Sequence, residues 1–256
     1  MKNIRLKIER AKQHLRELQI KLKSFHEEKP YTISVRRDKE TKRPTYFISG
    51  AKDIPNDVPL IIGEVIQNLR SALDYLAYYL FKKNSTEEGK HVYFPISDDV
   101  KKYTEEKERR TDGISQQDKD LIDFFTPYNG GNNILWQIHK LNNIDKHRLL
   151  VTAGASFGAL DIGAVMNRFM KKSFPNQAKD FPDLPQMFLN PADKLFPLRV
   201  GDELFVDEPN ALEIPNMQFR IDFLLNESGV VEGQDIVGLL QSMVKEVERV
   251  VLAFGD

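Results

Sequence analysis

The segment Leu60–Phe81, LIIGEVIQNLRSALDYLAYYLF, decides how this chain folds. Its aliphatic side chains recur every three or four residues, which is the spacing of one face of an α-helix. These residues are Ile62, Val65, Ile66, Leu69, Leu73, Leu76 and Leu80. Three tyrosines and Phe81 make the second half apolar on nearly every side. The pattern predicts a central helix that is buried on more than one side.

Charged residues interrupt this helix and a second one. Arg70 and Asp74 are one turn apart in the central helix. A second apolar helix is predicted over Ile134–Leu149, where the core spacing continues onto Asp145 and Arg148. An unpaired buried charge costs several kcal/mol, so these four residues need opposite charges or backbone partners. We therefore expect the two helices to pack together around one buried ion network that fixes their register, or around a functional site.

The same residues resemble a known group of proteins. The stretches GEVIQNLRSALDYLAYYL at 63–80, FPI at 94–96 and LNNIDKHRLL at 141–150 are similar to a family of uncharacterised bacterial proteins with a GE…NLRSALDxLA helix and a DKHR segment. The resemblance covers about residues 63–150 and implies no activity. A more distant likeness is to the helical HEPN superfamily, many of whose members are metal-independent ribonucleases of toxin and defence systems.

The HEPN likeness implies a site, although the chain lacks that superfamily's R-x4–6-H motif. Such a site would combine residues of separate helices, for instance Arg70 or Arg148 with His147. In an enzyme, His147 would be the general acid or base, and Arg70, Lys146 or Arg148 would stabilise phosphate charge. Asp74 and Asp145 would complete the cluster. We favour a non-enzymatic binding or interaction module over this enzyme. The two hypotheses differ in the exposure of His147, which an enzyme needs in an open cleft and which a structural role would leave sealed.

Composition narrows the alternatives. The 256 residues are 41% hydrophobic and 29% charged, with a formal net charge of −1, so nucleic acid or membrane would have to bind a local patch. The absence of cysteine excludes disulfides, thiolate catalysis and cysteine-ligated metals. We find no phosphate-binding glycine loop and no helical HExxH motif, and His139 and His147 are too far apart to chelate one ion, so we expect no cofactor and no metal. Without a signal peptide or a long apolar run, we expect a cytoplasmic protein with no membrane contact.

The N-terminal part carries two basic regions. Residues 2–25 have a heptad seam, which predicts a helix that spans the body of the protein or forms a homodimer. Its seam residues are Ile4, Ile8, Ala11, Leu15, Leu18, Leu22 and Phe25. The outer face of this helix, with Lys12 and Arg16, and a hairpin at 31–50, with Arg36, Arg37 and Arg43, are either solvated faces or contacts for RNA.

The remaining chain completes an α+β prediction. After residue 150, the segments LLVTAGASF, FPLRVGDELF and MQFRIDFLL have the alternation of antiparallel strands, and Asp235–Phe254 is predicted to be a closing helix. Residues 171–194 are expected to be irregular. We predict a single domain over 1–256: an N-terminal helix (1–28), a hairpin (31–50), a helical core (60–150), and strands with the closing helix (151–256). The tyrosines at 75, 78 and 79 either line a pocket or belong to the core.

Overall fold

The computed structural model describes residues 1–86, 91–147, 151–175, 182–192, 195–214 and 217–255, without the side chain of His147. The described part is α+β, as predicted, with two antiparallel sheets. Its elements, in chain order, are α1 (Lys2–Glu27), β1 (Tyr31–Arg37), β2 (Pro44–Ala51), α2 (Asp57–Asn84), α3 (Val100–Arg110), α4 (Gln116–Phe124), α5 (Asn133–His147), β3 (Ala153–Asp161), α6 (Ile162–Ser173), β4 (Phe188–Leu189), β5 (Glu203–Val206), β6 (Phe219–Glu227), β7 (Val231–Asp235) and α7 (Ile236–Ala253).

The chain forms two compact units, and each is built from stretches that are distant in the sequence. Unit 1 contains Met1–Ser24, Pro55–Ala153 and Leu225–Asp256. Unit 2 contains Phe25–Ile54 and Gly154–Leu224. The helices α2, α3, α4, α5 and α7 therefore belong to unit 1, together with most of α1.

Unit 1 is organised around α2, whose apolar face is fully buried. The helices α2, α5 and α7 contact one another, which confirms the predicted packing of the two charged apolar helices. Three polar pairs run in opposite directions along α1 and α2, so these two helices are antiparallel: Lys7 with Asn68, His14 with Glu64, and Lys21 with Asp57. The first six seam residues of α1 are buried in this unit, so the seam packs against other parts of the same chain.

The segment between α2 and α3 is held by charged groups. Asp98 accepts hydrogen bonds from the Trp136 indole (3.3 Å), from Lys140 (3.0 Å) and from Lys102 (3.2 Å). The Lys140 ammonium is the main cause that lowers the pKa of Asp98 to about 2. These contacts fix the start of α3 on α5, and Phe94 and Ile96 are fully buried just before it. The 94–96 segment is therefore a fixed wall beside α2.

Unit 2 contains the predicted hairpin. Strands β1 and β2 pair antiparallel, and β2 also pairs with β5, which gives a three-stranded sheet in the order β1-β2-β5. In the turn, the Asp38 carboxylate accepts from the backbone and hydroxyl groups of Thr41. The second sheet has the order β4-β3-β6-β7.

Helix α6 differs from the sequence expectation. Residues 171–194 were expected to be irregular, and no helix was predicted before them, yet α6 runs from Ile162 to Ser173. The Asp161 side chain caps it by accepting from the Gly163 N–H at 2.9 Å. The expectation cannot be compared over 176–181 and 193–194, which lie outside the described residues.

In the described part, no helix has both the length and the apolar character needed to cross a membrane.

Candidate functional site

Arg70 and Asp74 form a buried pair that ties α2 to the 94–96 segment. The Arg70 Nη2 group donates to Asp74 Oδ1 at 2.7 Å and to the Phe94 carbonyl at 2.9 Å. In return, the Phe94 N–H donates to Asp74 Oδ1 at 3.1 Å. Only 6% of Arg70 is exposed. The two motif segments at 63–80 and 94–96 are therefore joined by two hydrogen bonds, and the third, between Arg70 and Asp74, holds their side chains together within α2.

Burial dominates the electrostatics of this pair. It lowers the pKa of Arg70 and raises the pKa of Asp74, and the attraction between the two charges opposes both shifts. Lys146 and Arg110 also favour the charged form of Asp74. Since desolvation is the larger effect, loss of either member would leave the other charge buried without sufficient compensation.

The predicted four-residue network differs from the described geometry. Asp145 is partly exposed and lies against Gly63, about two turns of α2 before Arg70. Among the described residues, neither Arg70 nor Asp74 has a hydrogen bond to Asp145. The pKa of Asp145 is raised, because the effect of burial is larger than the opposing effect of the Lys146 charge. The spacing of α5 predicted a core-facing aspartate, but the glycine on α2 provides a separate place for it. Arg148 lies outside the described residues.

A cleft of ≈ 360 Å³ opens beside the Arg70–Asp74 pair, entirely within unit 1. Four basic side chains line it, from α2, α3 and α5: Arg70, Arg109, Arg110 and Lys146. Asp74 is the one carboxylate among the described residues that line it. The remaining polar lining is His91, Tyr93, His139, Asn142 and Asn143. We call this the basic cleft. It gathers positive charge in a chain whose net charge is −1.

Several polar atoms of the cleft residues have no protein partner in the described part of the chain. They are Arg70 Nη1, His139 Nδ1 and Asn142 Oδ1, and all three are buried. A buried polar atom that lacks a hydrogen bond costs about 1–3 kcal/mol. Three such atoms around one cleft are typical of a place where water or a ligand completes the hydrogen bonding.

His139 is a neutral imidazole in this site. Burial, followed by the charges of Arg70 and Arg110, lowers its pKa to about 3. Its Nε2 atom is 3.2 Å from the Asn143 side-chain nitrogen. His139 is partly buried beside the cleft. With this pKa it is uncharged at neutral pH and holds its proton too weakly to act as a general base there.

The other catalytic candidates are only partly described. Lys146 is exposed, and it lines the basic cleft with the buried Arg70 and the partly buried Asp74. The backbone of His147 belongs to α5, but its side chain lies outside the described part, so its exposure does not yet distinguish an enzyme from a binding module. The structure thus brings Arg70, Asp74 and Lys146 together and places Asp145 beside Gly63.

The hairpin arginines are largely engaged within unit 2. Arg36 pairs with Glu203 and stacks over the Phe47 ring at 4.9 Å. Arg37 donates to the carbonyls of Lys42 and Ala211, at 2.9 and 3.0 Å. Arg43 is exposed. Two of these three nucleic-acid candidates therefore already have protein partners.

The two candidates on α1 differ in the same way. The Lys12 ammonium lies 2.9 Å from Glu9 and 2.6 Å from Glu248. These carboxylates raise the pKa of Lys12. Arg16 is exposed. Lys12 is thus a structural contact between α1 and α7, which leaves a shorter basic strip than the sequence indicates.

Six residues that line the basic cleft were not singled out from the sequence: His91, Tyr93, Arg109, Arg110, Asn142 and Asn143. Two of them, Arg109 and Arg110, lie in the highly charged segment 98–112, in which we predicted no site residue from the sequence. Arg110 instead donates to the Ile96 carbonyl at 2.9 Å and pairs with Glu106, so α3 is anchored against the 94–96 wall. The adjacent arginines at the end of α3 were the available signal.

Comparison of the chain with protein-family models, curated proteins and solved structures gave no match.

Proposed function

We propose that this protein is a binding module for a phosphate-bearing ligand, which occupies the basic cleft. The observation that carries the proposal is the convergence of four cations on one cleft beside a single carboxylate. A near-neutral chain has no overall attraction for anions, so local concentration of positive charge has to provide it. Phosphate oxygens are strong acceptors that arginine binds in a planar, two-donor geometry.

The four cations suit different tasks. Arg70 is fixed by Asp74 and the Phe94 carbonyl, so its orientation does not depend on a ligand. Its Nη1 group is the donor left without a protein partner in the described part. Arg109 and Lys146 are exposed at the cleft and reach an incoming anion first. A donor that is already held in place lowers the entropy cost of binding a charged group.

The test is calorimetric titration of pyrophosphate at low ionic strength. The Arg109→Gln and Lys146→Gln variants should each bind about tenfold more weakly than wild type, because each removes a charged hydrogen bond. Lys101→Gln is the matched control, since Lys101 is exposed on the same helix as Arg109 and does not line the cleft. Wild-type protein that binds no pyrophosphate, or variants that bind as wild type does, would overturn the proposal.

The second candidate is the HEPN-like, metal-independent ribonuclease or other phosphodiester-cleaving enzyme. The observation in its favour is that two imidazoles, His91 and His139, line the cleft with the cations. A general acid or base needs a pKa near the working pH, so the low pKa of His139 assigns this role to His91 or His147. Labelled RNA incubated with excess chelator should then be cleaved by wild type and by His26→Ala, an exposed control, but not by His91→Ala or His147→Ala.

A homodimer is a separate proposal. The seam of α1 is occupied within the chain, so a dimer through this helix would use its outer face, where Leu6 and Ile20 are exposed. Sedimentation velocity of wild type and of the Leu6→Ser/Ile20→Ser variant tests it. A monomer at every concentration of wild type would rule the dimer out.

A further inference from the structure

A second cleft, of ≈ 570 Å³, lies between the start of α1 and the second half of α2. Three tyrosines from α2, at positions 75, 78 and 79, form its aromatic side. Lys82 of α2 and Lys2 and Asn3 of α1 add polar groups to it. All of these residues belong to unit 1. We call this the tyrosine cleft.

The exposure of these rings is unusual for α2, whose large side chains are otherwise mostly buried. Tyr75 is 44% exposed and Tyr78 is 42% exposed, although the sequence pattern around them is typical of a core helix. A flat ring that is half exposed beside a cleft offers a stacking surface to another flat ring. The alternative that these tyrosines belong to the core is excluded for Tyr75 and Tyr78.

Positive charge surrounds the rings. The Lys7 ammonium lies 5.9 Å from the centre of the Tyr75 ring, and the Lys83 ammonium lies 5.2 Å from the centre of the Tyr79 ring. With Lys2 and Lys82, four ammonium groups border the aromatic surface, and none of the described residues that line it is acidic. This combination fits a ligand that contains both a planar ring and negative charge.

The two clefts share α2. Asp74 lines the basic cleft, and Tyr78, one turn further along the helix, lines the tyrosine cleft. Arg70 precedes Tyr78 by eight residues, which corresponds to about 12 Å along the helix axis. A ligand that contacts Arg70 with one end and the tyrosines with the other therefore has to span at least this distance.

We infer that the ligand is a nucleotide, free or within a single strand, whose phosphate occupies the basic cleft while its base stacks in the tyrosine cleft. The inference rests on the proposed function and specifies its ligand. Stacking on tyrosine supplies affinity without base specificity, because every base has a flat face. The tyrosine cleft thus distinguishes nucleotides from other phosphate compounds.

The test compares ligands with and without a base. ATP represents a free nucleotide, hexa-adenylate represents a single strand, and tripolyphosphate has the charge but no base. Calorimetry is done at low ionic strength without divalent cations. The Tyr75→Leu/Tyr78→Leu variant keeps apolar bulk but removes both flat rings, so it should bind ATP or hexa-adenylate about 5- to 150-fold more weakly for each stacked base that is lost. Its affinity for tripolyphosphate should equal that of wild type.

Two controls accompany the variant. Tyr75→Phe/Tyr78→Phe keeps the rings and should bind like wild type. Phe124→Leu removes an exposed ring of α4 that lines neither cleft, and it should also bind like wild type. Urea unfolding establishes that each variant is folded. Tighter binding of ATP than of hexa-adenylate indicates a free nucleotide, and the reverse indicates a single strand; either result supports the inference if it depends on the rings.

The outcomes separate the two proposals. If tripolyphosphate binds through Arg109 and Lys146 but a base adds no affinity, or if the leucine variant binds both base-containing ligands as wild type does, the nucleotide inference fails and the phosphate site stands. If tripolyphosphate does not bind, the proposed phosphate site fails. Ring-dependent binding of ATP or hexa-adenylate in that case would still support a base site in the tyrosine cleft.

Discussion

The Asp145 carboxylate occupies the space that a side chain at Gly63 would need. A β-carbon built on Gly63 would lie 2.5 Å from Asp145 Oδ1 and 2.8 Å from its Cγ, closer than atoms can approach without a shift. Gly63 is fully enclosed in α2, and Asp145 belongs to α5. The glycine therefore sets how closely these two helices approach at this end of their contact.

Gly63→Ala should destabilise the protein by about 1–3 kcal/mol, because the added methyl group overpacks the helix contact. Helix propensity by itself would predict the opposite, because alanine is more favourable than glycine in a helix interior by about 1 kcal/mol. Urea unfolding of a double-mutant cycle measures the effect. In the Asp145→Ala background the obstacle is gone, and Gly63→Ala should be neutral or stabilising. Destabilisation of equal size in both backgrounds would show that Asp145 is not the obstacle.

Asp74→Ala should destabilise the protein by about 3–5 kcal/mol, since it leaves the Arg70 guanidinium buried without its counter-charge. It also removes the acceptor of the Phe94 N–H. Glu9→Ala is the control, because it breaks an exposed pair whose lysine keeps Glu248 as a partner, and it should change stability by less than about 0.5 kcal/mol. Similar urea midpoints for the two variants would contradict a structural role for Asp74.

Leu18→Ala should destabilise the protein by about 2–5 kcal/mol, because Leu18 is fully buried in the seam of α1 and its truncation leaves a cavity. Ile20→Ala on the same helix changes a side chain that is 67% exposed, and we expect an effect within about 0.5 kcal/mol. The cost of Leu18→Ala should be independent of protein concentration, since the seam packs within one chain. A cost of Leu18→Ala that varies with concentration would instead indicate a dimer.

His139 should make folding stability depend on pH in a defined direction. The folded protein binds this proton only near pH 3, whereas an unfolded histidine binds it near pH 6.5. Between these values the unfolded state holds more protons, so the free energy of unfolding falls as the pH falls, by at most about 1.4 kcal/mol per pH unit. His139→Gln should flatten the decline measured between pH 6 and pH 4. Parallel declines in variant and wild type would exclude His139 as its source.

Periodicity in the sequence was sufficient for the main helices and the hairpin. The apolar spacing around Leu69 and Leu73 is long enough to define α2, and the alternation in 31–50 with its Asp38 turn is typical of a hairpin. Helix α6 was missed although Asp161 is a capping residue, because the preceding strand-like segment favoured a continued β interpretation. A repeat that extends over a whole helix was thus enough to predict that helix, whereas a single capping residue was not.

The candidate site was predicted less completely, because it depends on tertiary approach. Arg70 and Asp74 were recognised since their spacing places them on one helix face. Arg109 and Arg110 reach the basic cleft only because the 94–96 segment is buried against α2 and brings the end of α3 back to it. Asp145 packs apart from Arg70 and Asp74 because it lies against Gly63, which is far earlier in the chain. Spacing within a helix contains no information about either relationship.

The alternation of the two units along the chain has a consequence for biosynthesis. Unit 1 needs α7, which follows Leu225, whereas both stretches of unit 2 precede that residue. A ribosome makes the chain from its N-terminus at about 5–20 residues per second, so unit 2 can finish folding while the side of unit 1 that receives α7 is still open. During that interval part of the apolar surface of α1 and α2 has no covering helix. A nascent chain stalled before α7 should therefore be a chaperone substrate, and one stalled after α7 has emerged should not.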